Sequence, residues 1–113
     1  MIHLTIPYRL PSAPNLREHW AVKARRVKQQ RGVVTMFLGA RPRPPLPTVV
    51  TLTRIAPRPL DGDNLAGAFK AMRDAVAEWL GVDDADPRVT WAYAQRREGV
   101  KRYAVEVCIG GGA

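Results

Sequence analysis

The sequence predicts an α+β domain of two layers, in which helices pack on one mixed β-sheet. Three observations predict it: short stretches that alternate in polarity, longer stretches with apolar residues at helical spacing, and prolines or glycines at the boundaries between them. They give the element order β-α-β-α-β-β, which is typical of a two-layer domain. With 113 residues and 46% apolar content, the chain is expected to form one domain over residues 1–113.

The first half of the chain contains a predicted strand, a helix and a second strand. Residues 1–7 alternate in polarity as a half-buried strand does. Residues 15–38 are predicted to form a helix, with Asn15 as its N-cap and Gly39 as its stop. The segment TVVTLTRI at residues 48–55 is β-branched and apolar on both faces, which predicts a central strand.

The second half contains the helix with the clearest pattern. Residues 64–80 carry apolar residues at helical spacing, and Gly81 is expected to end this helix. Two strands are predicted to follow, over residues 88–97 and 102–109. Glu and Gly at 98–99 indicate a hairpin turn between these strands.

Basic and acidic residues are strongly segregated along the chain. The net charge is +8, yet residues 61–86 hold seven acids against two bases, a net charge of −5, and the remainder carries +13. A basic protein of this kind is expected to bind an extended anionic partner, and nucleic acid is favoured over a membrane. No apolar run reaches the roughly 20 residues of a membrane span, and the N-terminus lacks a signal-peptide pattern, so we expect a cytoplasmic protein.

The acids lie at both ends of the second predicted helix. Asp61 and Asp63 stand at its start, whereas Asp83 and Asp84 follow its end. Since a helix of this length spans roughly 25 Å, the two groups can meet only if the segment after the helix runs back beside it. Clustered carboxylates repel one another, and a hard divalent cation such as Mg²⁺ relieves that repulsion. The pattern therefore predicts a metal site that polarises a phosphate and activates a water, while basic residues hold the polyanion.

Each of these residues also has a purely structural alternative. Either Asp61 or Asp63 is a suitable N-cap. Lys70 and Asp74 have the spacing of a solvated helical ion pair, and the acids at 83–86 suit an ordinary turn. The single cysteine, Cys108, is expected to be a small buried hydrophobe, and the two histidines, His3 and His19, are expected to be structural.

Three features occur in order: the motif DGDN at 61–64 after a strand, a helix with lysine and aspartate, and GVDD at 81–84. In these features the sequence resembles the RusA-like endodeoxyribonucleases, which resolve four-way (Holliday) DNA junctions. The specific part of the likeness covers about twenty-five residues. The resemblance implies that Asp61, Asp63 and Asp84 are metal-binding catalytic acids. It also implies Mg²⁺ dependence, a homodimer with two sites, and a phage or prophage setting.

The chain departs from the family pattern at the helical lysine. The usual lysine position, four residues after the second motif aspartate, is Gly67, and Lys70 lies one turn later. Counted backwards from Asp74, however, Lys70 has the family's spacing, so the helix is interpreted as having gained a turn at its start.

The resulting hypothesis is an endonuclease that acts on branched DNA. Asp61, Asp63 and Asp84 bind Mg²⁺ (or Mn²⁺), Lys70 stabilises developing charge, and Asp83 is an additional candidate ligand. No organic cofactor is expected. The predicted contacts to DNA phosphates are Arg17, Lys23, Arg25, Arg26, Lys28, Arg31, Arg96, Arg97, Lys101 and Arg102. Two alternatives remain open: a noncatalytic nucleic-acid-binding module whose acids cap helices, and a small-nucleotide phosphohydrolase.

Overall fold

The structure is a computed structural model that describes residues 1–11 and 19–110, and it confirms the α+β class. Helices pack on a mixed four-stranded sheet in two layers. The elements are β1 (Ile2–Ile6), α1 (Trp20–Leu38), β2 (Thr48–Ile55), α2 (Gly62–Ala68), α3 (Lys70–Leu80), β3 (Val89–Arg96) and β4 (Ala104–Ile109). None of the helices in the described part of the chain has the length and hydropathy required to cross a membrane.

The sheet has the strand order β1-β4-β2-β3. β2 pairs with β3 in parallel and with β4 in antiparallel orientation, and β4 pairs antiparallel with β1. The prediction of a central strand over residues 48–55 is confirmed, since β2 has a neighbour on each side. The α2–α3 segment is the crossover connection that a parallel β2–β3 pair requires.

The predicted hairpin between β3 and β4 is wrong, because these two strands do not pair. β4 lies between β1 and β2, with Val107 opposite both Leu4 and Leu52. Val105 and Val107 are completely buried there. A hairpin position would have placed β4 outside β3 at the edge of the sheet, where its apolar side chains would lack a neighbouring strand on one side.

The helix α1 begins at Trp20, so the prediction of Asn15 as its N-cap is wrong. Asn15 itself lies outside the described residues. His19 has an extended backbone and caps the helix, with its Nδ1 atom accepting a hydrogen bond from the Ala21 amide at 3.2 Å. Gly39 ends α1 as predicted, and its amide donates to the Thr35 carbonyl at 2.8 Å.

The helix predicted over residues 64–80 is divided in two at Phe69. The Phe69 backbone has φ −90° and ψ 0°, and its amide shares the carbonyls of Leu65 and Ala66 at 3.3 and 3.2 Å. The Phe69 side chain is completely buried and stacks on Tyr93, with ring centroids 6.0 Å apart. The helix resumes at once, so that α2 and α3 together direct one apolar face to the sheet. That face consists of Leu65, Ala68, Phe69, Met72, Ala75, Val76 and Leu80.

Gly81 ends α3 in a left-handed conformation, with φ 78° and ψ 27°. We expect Gly81→Ala to lower the free energy of unfolding by about 1 kcal/mol, because a Cβ atom disfavours this backbone region. Gly67→Ala is the matched control, since its new Cβ meets nothing within 4 Å and alanine favours a helix, so it should raise that free energy by about 0.5–1 kcal/mol. Urea denaturation measures both changes, and equal effects of the two substitutions would contradict this explanation.

Candidate active site

The segment after α3 folds back along the helix and is held there through the backbone of Asp84. The Asp84 carbonyl oxygen accepts hydrogen bonds from Arg73 Nη2 at 2.9 Å and from Trp91 Nε1 at 3.0 Å. The Arg73 guanidinium lies over the Trp91 ring, 4.7 Å from its centroid, and Arg73 Nη1 donates to Tyr93 Oη at 2.9 Å. One arginine on α3 therefore ties the returning segment to both the helix and β3.

This arrangement places the Asp84 carboxylate beside two cations of α3. Its Oδ2 atom lies 3.7 Å from Lys70 Nζ and 3.3 Å from Arg73 Nε. Lys70 Nζ also donates to Asp74 Oδ1 at 3.1 Å. The hydrogen bond to Asp74, together with the charges of Asp74 and Asp84, raises the pKa of Lys70 above its ordinary value. Lys70 is therefore a fixed cation at neutral pH and is unsuited to act as a general base.

A row of alternating charges extends from this pair to α1. Arg31 Nη1 lies 3.9 Å from Asp74 Oδ2, and Arg31 Nη2 also pairs with Glu78. The guanidinium of Arg31 is thus engaged with acids of the protein itself, although it was predicted to contact DNA. We define the ion-pair row as Glu78, Arg31, Asp74, Lys70 and Asp84.

The two aspartates of the DGDN motif lie at the start of α2. Asp61 is the N-cap, and its Oδ1 atom accepts from the Asn64 amide at 3.0 Å. The structural alternative for Asp61 is therefore confirmed as one of its roles. Asp63 lies in the first helical turn, is exposed, and makes no ion pair or hydrogen bond with other described residues. Its charge there is favoured by the helix dipole.

The three predicted metal ligands do not share one coordination sphere in this conformation. Within residues 1–11 and 19–110, the carboxylate oxygens of Asp61, Asp63 and Asp84 do not form a group in which all lie within 4.8 Å of one another. The chain brings Asp84 to Lys70 and Asp74, while the DGDN aspartates remain at the start of the same helical segment.

The donor chemistry of these residues nevertheless fits a hard cation. Neither carboxylate oxygen of Asp84 accepts a hydrogen bond from a described residue, and the same holds for Asp63 and for Oδ2 of Asp61. Mg²⁺ needs only one or two protein carboxylates, because waters and substrate phosphate oxygens complete its octahedron. The positive charges of Lys70 and Arg73 oppose a cation at Asp84, and Asp74 offsets part of that opposition.

The other two aspartates of the 83–86 turn have structural roles. Asp83 Oδ1 accepts from the Ala85 amide at 2.8 Å, which is the pattern of an Asx turn. Asp86 pairs with Arg88 through two side-chain contacts at 2.8 and 3.1 Å. Hydrogen bonds from the side chain and backbone of Arg88 lower the pKa of Asp86 to about 2. Asp83 keeps one carboxylate oxygen for an additional ligand role.

Besides Arg31, the predicted DNA-contacting residues fall into three groups. Lys23, Arg25 and Lys28 are exposed on α1, and Arg97 and Lys101 are exposed in the connection between β3 and β4. Arg96 pairs with Glu98 and Glu106 at 2.6 and 2.8 Å, and Arg102 lies 3.8 Å from Glu98, so these two are partly neutralised. Arg26 is half-buried and has a partner, and Arg17 lies outside the described residues.

The sheet also assembles a group that the sequence pattern did not indicate: His3, Glu106 and Cys108. Pairing of β1 with β4 places His3 opposite Cys108, and ligand atoms of all three residues lie within 4.8 Å of one another. Cys108 is half-buried rather than buried as predicted, and burial is the main cause that raises the pKa of its thiol. Mg²⁺ prefers oxygen ligands, and both Glu106 oxygens contact Arg96 at 2.8 and 3.4 Å, so this group is not a magnesium site.

Sequence reasoning also missed the residues that hold Asp84 in place, namely Arg73, Trp91 and Tyr93. One signal was available, since Arg73 is one of only two bases among the seven acids of residues 61–86. Its partners on β3 depend on the parallel pairing of β2 with β3, which the sequence did not predict.

Comparison with known proteins adds one relative. No protein-family model matches this chain. An uncharacterized protein of Xylella fastidiosa (strain Temecula1 / ATCC 700964) is 34% identical to it over 98 residues, which cover 74% of this chain. The chain spans 61% of the length of that relative.

The ion-pair row predicts different behaviour for two neighbouring bases of α1. We expect Lys28→Gln to weaken DNA binding and to reduce the salt dependence of log K by about 1, because Lys28 is exposed and makes no ion pair or hydrogen bond with described residues. Arg31→Gln should instead lower the free energy of unfolding by up to about 1 kcal/mol and leave DNA affinity nearly unchanged. Fluorescence anisotropy and urea denaturation measure the two effects, and a larger affinity loss for Arg31→Gln would contradict the assignment.

Proposed function

We propose that the protein is a Mg²⁺-dependent endodeoxyribonuclease that resolves four-way DNA junctions by phosphodiester hydrolysis. The observation that carries this proposal is the position of Asp84, which returns to within 3.7 Å of Lys70 Nζ although fourteen positions separate the two residues. The 83–86 turn thus lies beside the first turn of α3, which directly follows α2 and its DGDN motif. The RusA-like motif residues supply the same assignment independently.

Each group has a role that follows from its chemistry. The carboxylates of Asp61, Asp63 and Asp84 are the residues that would hold Mg²⁺, with Asp83 as an additional ligand. Bound Mg²⁺ would polarise a phosphate oxygen and lower the pKa of an attacking water. Lys70, kept protonated by Asp74 and Asp84, stabilises the negative charge that develops on the phosphate. Arg73 holds the Asp84 backbone and so fixes the distance between the returning segment and Lys70.

The charge distribution supports a polyanionic substrate. Outside residues 61–86 the chain carries +13, and the exposed bases of α1 provide phosphate contacts that do not depend on base sequence. Selection of a four-way junction requires recognition of shape by two sites. The proposal therefore includes a homodimer, and a cytoplasmic phage or prophage protein remains the predicted setting.

A second candidate function is a noncatalytic nucleic-acid-binding module. The observation that favours it is the internal pairing of the acids: Asp61 caps α2, Asp86 pairs with Arg88, and Asp74 and Glu78 belong to the ion-pair row. Both functions require DNA binding that weakens with salt. Only the nuclease requires that loss of one carboxylate abolish cleavage without loss of binding.

Cleavage of a synthetic four-way junction in the presence of Mg²⁺ tests the proposal. We expect wild-type protein to cut the junction, and Asp84→Asn or Asp63→Asn to reduce the rate by about 100-fold or more, because each substitution removes an anionic ligand. Junction binding, measured by gel shift, should be retained or become tighter, since a negative charge is removed. If the wild-type protein binds the junction tightly and the junction stays intact, that result would contradict catalysis.

Two further substitutions separate ligand roles from structural ones. Asp86→Asn is the matched control, because it removes an aspartate of the same turn whose carboxylate is committed to Arg88, and it should cut at the wild-type rate. Asp61→Asn retains the helix cap, since asparagine caps as well as aspartate does. Loss of cleavage by Asp61→Asn at an unchanged melting temperature would therefore identify Asp61 as a ligand as well as a cap.

A further inference from the structure

A cavity of about 640 Å³ is lined by residues that include three arginines. Arg9, Arg54 and Arg58 contribute to its wall together with Tyr103, and none of the described residues that line it is acidic. The segment that forms part of the wall ends at Leu60, which directly precedes Asp61. The cavity and the DGDN motif are thus consecutive along the chain.

Arg54 is the unusual member of this set, because it is a buried charge that pairs with no carboxylate of residues 1–11 and 19–110. Only 8% of its surface is exposed, and it occupies the inward-facing register of β2 shared by Val50 and Leu52. Its Nε atom donates to the Leu10 carbonyl at 3.3 Å and its Nη1 atom to the Arg58 carbonyl at 2.7 Å. Among the described residues, no carboxylate pairs with Arg54, and no group accepts a hydrogen bond from its Nη2 atom.

The electrostatic state of this site favours an anion. Burial lowers the pKa of Arg54, and the nearby charge of Arg9 lowers it further, although Tyr103 acts in the opposite direction. An arginine remains protonated at neutral pH even so. A buried charge that is paired only with neutral carbonyls is costly, and a bound oxyanion would relieve that cost through charge-assisted hydrogen bonds.

A second basic cavity continues from the first. It has a volume of about 540 Å³, shares Arg9 and Pro11 with the first cavity, and is otherwise lined by residues that include Arg25 of α1. Arg9 itself lies over the Tyr103 ring at 4.3 Å from the centroid, which holds it at the boundary between the two cavities. A basic track therefore leads from α1 to the residue that precedes Asp61.

Leu60, which lines the arginine cavity and directly precedes Asp61, is fixed to the sheet. Gln95 near the end of β3 accepts from the Leu60 amide at 2.9 Å and donates to the Leu60 carbonyl at 2.6 Å. The backbone amide and the backbone carbonyl of Leu60 are thus both hydrogen-bonded to one side chain. The distance between the cavity and the DGDN motif is consequently set by the fold.

We propose that the cavity lined by Arg9, Arg54 and Arg58 is a phosphate-binding site, and that its ligand is a phosphate group of a nucleic acid strand. The position of that phosphate next to a scissile one rests on the proposed function, whereas phosphate binding itself does not. The planar guanidinium groups supply paired N–H donors that match the oxygens of a phosphate. The site would hold one phosphate of the strand while its neighbour lies at Asp61, Asp63 and Asp84.

Titration of the full-length protein with inorganic phosphate at constant ionic strength tests the site without any cleavage reaction. We expect phosphate, but not chloride, to raise the melting temperature of the wild type, because a ligand that binds only the folded state stabilises it. Arg9→Gln and Arg58→Gln should each weaken phosphate binding by about tenfold or more, as measured by calorimetry. Both residues are exposed and have no ion pair with described residues, so these variants should fold.

Arg43→Gln is the charge-matched control, because Arg43 is exposed and lies beside Gly81, outside both cavities. It should bind phosphate as the wild type does. Arg54→Lys keeps the charge but loses the guanidinium fork, and it should bind phosphate more weakly than the wild type. Equal phosphate affinity in all variants, or none in the wild type, would overturn the proposal and leave Arg54 as a residue that only joins Leu10 and Arg58 to β2.

Two oligonucleotides identify the source of the phosphate. Equal competition by strands with and without a 5′-phosphate supports a phosphodiester of the backbone, and competition that requires the 5′-phosphate supports a strand end. Failure of either strand to displace inorganic phosphate would overturn the assignment to nucleic acid. Phosphate binding by wild-type protein that cuts no junction would reject the nuclease and retain this site, and the reverse result would reject this site alone.

Discussion

The candidate site depends on the two hydrogen bonds that Arg73 and Trp91 donate to the Asp84 carbonyl oxygen. They keep the segment after α3 beside that helix, although β2 and β3 run parallel and the α2–α3 crossover connects opposite ends of the two strands. Two hydrogen bonds to one backbone oxygen direct the Asp84 side chain to Lys70. Because Arg73 also bonds Tyr93 on β3, the turn, the helix and the sheet are positioned together.

The geometry shows which acids of the segregated segment are paired within the protein. The ion-pair row neutralises both acids of α3, Asp74 and Glu78, whereas Asp63 and one oxygen of Asp61 make no ion pair or hydrogen bond with described residues. The buried Arg54 shows the opposite arrangement, a cation that pairs with no acid in the described part of the chain, only a few positions before Asp61. We propose that a phosphate completes the Arg54 site and that a divalent cation completes the site of the acids.

The elements were predictable from the sequence more fully than their arrangement. The limits of β2 and the stop at Gly81 follow from residue types alone, because β-branched runs and left-handed glycines act locally. The place of β4 between β1 and β2 depends on which strand edge remains open after the α2–α3 crossover, and no local signal at 98–99 carries that information. The break at Phe69 likewise depends on its packing against Tyr93.

The candidate site was likewise predictable from the sequence only in part. The acids and their spacing were visible in the motifs, and the dependence of a shared site on a returning segment could be stated from helix length. The cap formed by Asp61 was foreseeable as an alternative, since aspartate before a helix has that preference. By contrast, the partners of Arg73 and the isolation of Arg54 arise only from the strand register, which brings residues distant in sequence to one face.

Anomalous diffraction from a crystal soaked with Mn²⁺ shows whether one cation joins the two groups of acids. We expect one anomalous peak in contact with a carboxylate oxygen of Asp84 and with an oxygen of Asp63 or Asp61, at about 2.1 Å or slightly more. A peak confined to His3, Glu106 and Cys108, or no peak near Asp84 in crystals that contain Mn²⁺, would contradict this expectation.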